Sequence, residues 1–262
     1  MAGDLVISTI NGVAIGTKNV IIDGNFNVNQ RGVSGTVTLA AGAYGHDRWK
    51  GGASGCTYTF ATVANVTTLT ISAGSLIQVV EGLNLQSGTY TLSFSGTAQG
   101  KINGGSYTAS GVTGTATGGT NMSIEFNTGT LSLVQLEKGS TATSFDYRPY
   151  GTELALCQRY LPAWNGTQPI SSAFFYGTAD VGTNIPFPVS TRVAPTGVTI
   201  SSAAHFRFDT SGAFTPSVLS FNSAGLTNGL LIATVSGATN NAAGRFLAAN
   251  ASAQLLFTGC EL

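Results

Sequence analysis

Charged residues are scarce. Asp, Glu, Lys and Arg together make up 8% of the chain, 11 acids against 11 bases, where about 25% is usual for a globular protein. With no net charge, the sequence offers neither a basic stripe for nucleic acid nor an electrostatic hold on an anionic membrane. Histidine occurs twice, as His46 and His205, far apart. Cys56, Cys157 and Cys260 are isolated, without CxxC or Cys–His spacing, so they read as free buried thiols, not as a metal site or a disulfide. No stretch approaches the ~20 apolar residues of a membrane span. Asp4 lies where a signal peptide would be basic and the apolar run from Leu5 breaks off early, so Sec export is not expected. The acids are scattered singly, Asp180 and Asp209 being the non-terminal ones in the last hundred residues, and no carboxylate pair for glycoside hydrolysis is legible. G-x-S-x-G, H-E-x-x-H and phosphate-loop patterns are missing as well. The expectation is a protein without enzymatic activity, cofactor, metal, nucleic-acid partner or membrane insertion.

What fills the chain instead is 35 glycines and a hydrophobic fraction of 42%, enough apolar matter for real cores. Its surface is therefore covered by hydroxyls and amides. A neutral surface of that kind protects a monomer poorly from association, which favours a chain built into an assembly. Periodicity reads all-β: two β-sandwich or jelly-roll-like domains joined by a short helical neck. Cys56, Tyr58 and Phe60 alternate, as do Leu69 and Ile71, then Ile124 and Phe126, then Leu131 and Leu133. Tyr90, Leu92 and Phe94 read as a strand with one wet face. Turn signals recur at the spacing of a sandwich. Residues 100–119 are Gly-rich and read either as a pair of short hairpin strands or as a loop.

The expected segments are residues 1–20, 21–150, 151–163 and 164–262. The first alternates weakly around Asn11-Gly12 and is either a strand added to the next domain or a virion-attachment segment. In the neck, Thr152 offers an N-cap hydroxyl and Glu153 an acid in the first turn, over a short helix that Pro162 stops. Leu154, Cys157 and Leu161 fall on one stripe, Leu156 and Tyr160 on another. So short a helix with two apolar stripes needs partners on both sides.

The neck lies in QLEKGSTATSFDYRPYGTELALCQRY, residues 135–160. This stretch resembles an element of tailed-bacteriophage fibre and related virion proteins through Leu136-Glu137, Gly139, Ala142-Thr143, Phe145, Arg148 to Gly151, Glu153-Leu154 and Leu156 to Tyr160. Two further stretches are similar to the same family. They are Ile21-Ile22-Asp23-Gly24-Asn25-Phe26 with Asn29-Gln30-Arg31-Gly32, and Tyr44 with Asp47-Arg48-Trp49. The resemblance implies a carbohydrate-binding-module-like jelly roll for residues 21–150 and a β-rich tip for residues 164–262. It also implies a homotrimer that binds other virion proteins through its N-terminal segment and a bacterial surface polysaccharide or lipopolysaccharide as receptor. A purely structural virion protein, such as a head fibre, collar or adaptor, is the alternative.

Trp49 reads as a core residue with its indole N–H satisfied, and Asp47 and Arg48 as an ion pair or a brace for the preceding loop. In the tip, Ala173-Phe174-Phe175-Tyr176 reads as a strand buried on both sides or shared between subunits, and the proline-spaced residues 185–189 and 192–195 read as edges. Phe206 and Phe208 face one way, His205, Arg207 and Asp209 the other. The candidate receptor-binding residues are Phe174, Tyr176, His205, Arg207 and Asp209. Leu154, Cys157 and Leu161 are the candidate trimer contacts at the neck.

Overall fold

The computed structural model describes residues 18–262 and, before them, the backbone of a two-strand ladder that pairs β1 (Thr9–Ile10) with β2 (Val13–Ala14). The remainder of the expected N-terminal attachment segment lies outside the described residues. The fold is all-β, built of antiparallel sheets, with a single α-helix, α1 (Tyr150–Gln158), among the described residues. The chain divides into two compact units, residues 1–153 and 154–262.

In the first unit follow β3 (Val37–Leu39), β4 (Lys50–Val63), β5 (Val66–Val80), β6 (Gly88–Ser95), β7 (Gly100–Ile102), β8 (Val112–Ala116), β9 (Met122–Phe126) and β10 (Gly129–Lys138). They form one sheet in the order β3-β4-β5-β10-β6-β8, with β9 on the far half of β5 and β7 on β9. The hinge of this arrangement is β10, which pairs with β5 through Leu131 and then with β6 from Ser132 to Lys138, with a bulge at Leu133-Val134. Leu133 takes a left-handed φ of 50°, so the expected alternation of Leu131 and Leu133 fails there. Leu131 and Val134 are the fully buried pair, because a bulge adds one residue and resets the parity. The core gathers Trp49, Tyr58, Ile124, Phe126, Leu92 and Leu136. Tyr90, Leu92 and Phe94 are buried as expected, but so is Thr91 on the face expected to be wet, where its hydroxyl donates to the Gly139 carbonyl. The Gly-rich residues 100–119 contribute two strands that do not pair with each other: β7 joins β9 and β8 joins β6.

The second unit has β11 (Ala163–Asn165), β12 (Gln168–Phe175), β13 (Asp180–Pro186), β14 (Gly197–Ile200), β15 (Phe206–Asp209), β16 (Ala213–Phe214), β17 (Val218–Ala224), β18 (Asn228–Thr234), β19 (Ala242–Ala248) and β20 (Gln254–Thr258). One sheet runs β11-β20-β14; the other runs β16-β15-β19-β12-β13-β18-β17. Aromatic rings fill its core, with Phe246 stacked on Phe206 and Phe208 at 5.5 and 4.8 Å. β12 is not buried on both sides: Ala173 and Phe175 point inward, Phe174 and Tyr176 are about half exposed. Residues 185–189 begin beyond the reach of β12, which pairs with β13 only at Val181–Thr183; Ile185 and Pro186 pair with β18 alone, an edge-like position where proline is tolerated. The Ala/Asn/Gly-rich residues 237–253 hold β19, the strand between β15 and β12.

At the neck, α1 begins three residues earlier than expected. The Pro149 carbonyl accepts from the amides of Thr152 and Glu153, so Thr152 sits inside the first turn and is not its cap. Cys157 and Leu161 are fully buried within the single chain, while Leu154 is half-buried. The backbone around them is tied into the second unit: Arg192 N–H donates to the Arg159 carbonyl, Phe257 N–H to that of Pro162, and the Cys260 thiol to that of Tyr160. Cys157 and Leu161, expected as trimer contacts, thus pack inside one chain. All three cysteines are free and buried.

Candidate functional site

The turn Asp23-Gly24-Asn25-Phe26 shapes a cleft of about 670 Å3, which is inside the roughly 300–1,000 Å3 of small-molecule sites. Two non-glycine residues of this turn, Asp23 and Phe26, have left-handed φ values of 56° and 54°, a costly choice for a bulky ring. Its surroundings hold it there. The Trp49 indole donates to the Asp23 carbonyl at 2.9 Å, Asp23 Oδ1 accepts from Val28 N–H, and Val134 N–H donates to the Gly24 carbonyl at 2.7 Å. Trp49 is thus the core residue that the sequence suggests, fully buried with its N–H satisfied. Asp47 braces the next loop, accepting from the backbone and side-chain amides of Gln30 at 3.1 and 3.2 Å. Its ion pair is with Arg31, at 3.9 Å.

Three further pieces complete the walls. The ends of β4 and β5 supply Phe60, Thr62 and Thr67, the turn between them Asn65, and the strap leading into α1 supplies Tyr147, Arg148, Tyr150 and Glu153. Tyr147 and Tyr150 are more than half exposed, and Tyr147 is steadied by an edge-on Phe145 ring 4.8 Å away. Amides dominate the polar lining. Asn27 is spent on the wall itself, donating to the Asn65 carbonyl and accepting from Thr67 Oγ1 at 3.1 Å each. Asn29 closes a loop onto Val33 through both ends of its amide. Asn25 is 8% exposed and its Oδ1 accepts no hydrogen bond.

Charge in the cleft is cancelled internally. Arg148 Nε donates to Glu153 Oε2 at 2.7 Å, Nη2 to Oε1 at 3.1 Å and to the Ile21 carbonyl, and Nη1 to the Asn19 carbonyl. Glu153 also accepts from Asp23 N–H. Burial lowers the His46 pKa to about 4, so the imidazole is neutral at physiological pH, with Nδ1 3.0 Å from the Tyr58 hydroxyl and its ring edge-on to Phe60 at 4.6 Å. The cleft is therefore an uncharged recess of amides, hydroxyls and aromatic rings, a surface made for hydrogen bonding and ring stacking.

The residues expected to bind a receptor lie in the second unit, in two groups. Phe174 and Tyr176 border a shallow apolar depression of about 410 Å3 with Gly182 and Leu230. Asp209 sits by a separate, polar depression, with Arg245. Phe206 and Phe208 face inward and Arg207 and Asp209 outward, as expected. Arg207 holds both oxygens of Asp209 at 2.6 and 2.9 Å, and Arg245 reaches it at 3.2 Å. The Arg207 hydrogen bonds, helped by Arg245, hold the Asp209 carboxyl below its usual pKa. His205 precedes β15 and its Nδ1 is 2.8 Å from Ser201 Oγ. The set thus becomes a satisfied ion-pair cluster and a separate aromatic pair. Asn25, Tyr147 and Tyr150 were not singled out from the sequence; the resemblance covers Asn25 and Tyr150 without saying which side chain is open to a ligand, and Tyr147 falls at one of its unmatched positions. Among the described residues no group of His, Cys, Asp or Glu is placed to hold a metal ion, and no helix is long and apolar enough to cross a membrane. Compared with known proteins, the chain matches no family model, no curated sequence and no solved structure.

Proposed function

We propose that the chain is a fibre or spike component of a tailed-bacteriophage virion. In this reading it is a homotrimer of two sandwich-like modules, the first of jelly-roll type, that attaches the particle to a glycan on the bacterial surface. The observation that carries the reading is the first-unit cleft, where exposed Tyr147 and Tyr150 flank an amide-lined recess whose charges cancel. Tyrosine faces stack on sugar rings while amides bond hydroxyls, and neither demands charge. Part of the lining comes from the stretches that resemble phage fibre proteins: Asn25 and Phe26 of the turn, Asn29 after it, and Arg148, Tyr150 and Glu153 of the strap. The second unit is the tip of such a particle, and the N-terminal segment is its virion attachment.

The test has two parts. Purified protein is probed on an array of bacterial polysaccharides and lipopolysaccharides, and particles are labelled for this chain in electron micrographs. Glycan binding that falls at least severalfold in Tyr147→Ala/Tyr150→Ala, with melting unchanged, supports receptor attachment. Labelled virions without any glycan binding favour the purely structural component, and absence from virions removes the reading.

A further inference from the structure

We infer that the first-unit cleft selects uncharged glycans and that Asn25 reads them, through a hydroxyl or acetamido N–H of the sugar donated to its side-chain amide. This rests on the glycan-attachment reading and narrows it to a ligand class.

Three asparagines leave the same turn, and two of them are consumed. Asn27 and Asn29 use both ends of their amides on Asn65, Thr67 and Val33. Asn25 is as buried as a core residue, lines the cleft, and has an Oδ1 without a hydrogen-bond partner. An unmatched buried amide is costly and rare in folded proteins, and a ligand that supplies the missing partner is one of the few reasons to keep it. The neighbouring Phe26 adds to the case. Its left-handed backbone, anchored by the Trp49 and Val134 hydrogen bonds, is a conformation that concentrates at binding sites.

Charge decides the class. Arg148 is committed to Glu153 and to two backbone carbonyls, and His46 is neutral. A uronate or sialate carboxylate entering the recess would lose water and find no free cation, a net penalty. A neutral hexose or N-acetylhexosamine loses only hydroxyl hydration, which Asn25 and the nearby Thr62 can replace, while its ring faces meet Tyr147 and Tyr150.

Calorimetric titration of the full chain with chito-oligosaccharide, mannan, polygalacturonate and polysialic acid tests the proposal. The expected result is binding to one or both neutral glycans with affinity nearly constant between low and high salt. Asn25→Ala should weaken that binding about tenfold, one hydrogen bond's worth, without lowering the melting temperature. Binding confined to the acidic polymers, or neutral binding unmoved in Asn25→Ala, overturns the inference and leaves glycan attachment standing. Binding to none of the four overturns both. Should Asn25→Ala fail to fold, the neutral-versus-acidic preference and salt dependence of the native chain decide.

Discussion

His46 couples the first unit's stability to pH. Its pKa falls from 6.5 in the free side chain to about 4 because burial disfavours the imidazolium. Between those values the unfolded chain binds more protons than the folded one, so stability rises with pH across the window and is lost as pH falls through it. The difference corresponds to about 3 kcal/mol when fully developed. Asp23 and Asp47 act in the opposite sense. Burial raises both carboxyls, so the fold takes up their protons more readily and their contribution weakens as pH climbs above the unfolded value near 3.8. Comparing native chain with His46→Gln, in denaturant titrations from pH 7 to 4, isolates the histidine: the variant should lose the acid sensitivity between pH 6.5 and 4. A second residue-scale test is Gly24→Ala, since a Cβ there would stand 2.1 Å from the Val134 carbonyl oxygen. A loss of about 1–3 kcal/mol is expected by chemical denaturation, with weaker ligand binding because the Asn25 turn must shift. Trp49 was legible from sequence because an amphipathic side chain between charges has few ways to be buried. Asn25 was not, because its significance lies in a partner it lacks, and that is visible only once the partners of Asn27 and Asn29 are known.

Among elements, the strap into α1 carries the most consequence. Arg148 and Glu153 are each under one-tenth exposed, and together they bind the backbone at Asn19, Ile21 and Asp23. The strap therefore fastens the chain's entry into the first unit, where Val20 N–H also donates to the Leu136 carbonyl, to the segment that ends it. Arg148→Ala would leave the Glu153 carboxylate buried without its cation, a change that typically costs about 3–5 kcal/mol. Adding Glu153→Gln should recover part of that loss, and a double-mutant cycle on the unfolding transition measures the coupling. The sequence displayed the strap's boundary residues, and the helix with its acid in the first turn was legible. What it concealed was position and purpose. Glu153 looked like an acid answering the helix dipole, whereas its main partners are an arginine and an amide. The alternating strands were largely readable for the same reason that β10 was misread: period two holds until a bulge, and nothing in Leu131-Ser132-Leu133-Val134 announces that the strand is about to change partners. The second-unit strand β19 was obscured by an Ala/Asn/Gly-rich composition that has little β-propensity of its own and depends on the strands either side.

For the whole molecule, the open question of assembly turns on which apolar surface remains after each unit is folded. The proposed trimer cannot use Cys157 and Leu161, which are already buried in one chain. Leu161→Asp should therefore lower the melting temperature through a buried charge, by several kcal/mol of stability, whatever it does to association. The outward face of the seven-stranded sheet is a better candidate. Phe174 and Tyr176 are about half exposed there, and the register sets Phe174 opposite Gly182, which in turn faces the half-buried Ile232. An exposed aromatic and aliphatic surface is the kind that subunits cover, and cyclic closure keeps such contacts from growing into filaments. Phe174→Asp is then expected to reduce the mass seen by light scattering from three chains to one while leaving the strand content by circular dichroism intact. A native mass of one chain removes the trimer. A trimer indifferent to Phe174→Asp moves its interface elsewhere, and cell adsorption lost from an intact trimer would return Phe174 and Tyr176 to the receptor role expected of them from sequence.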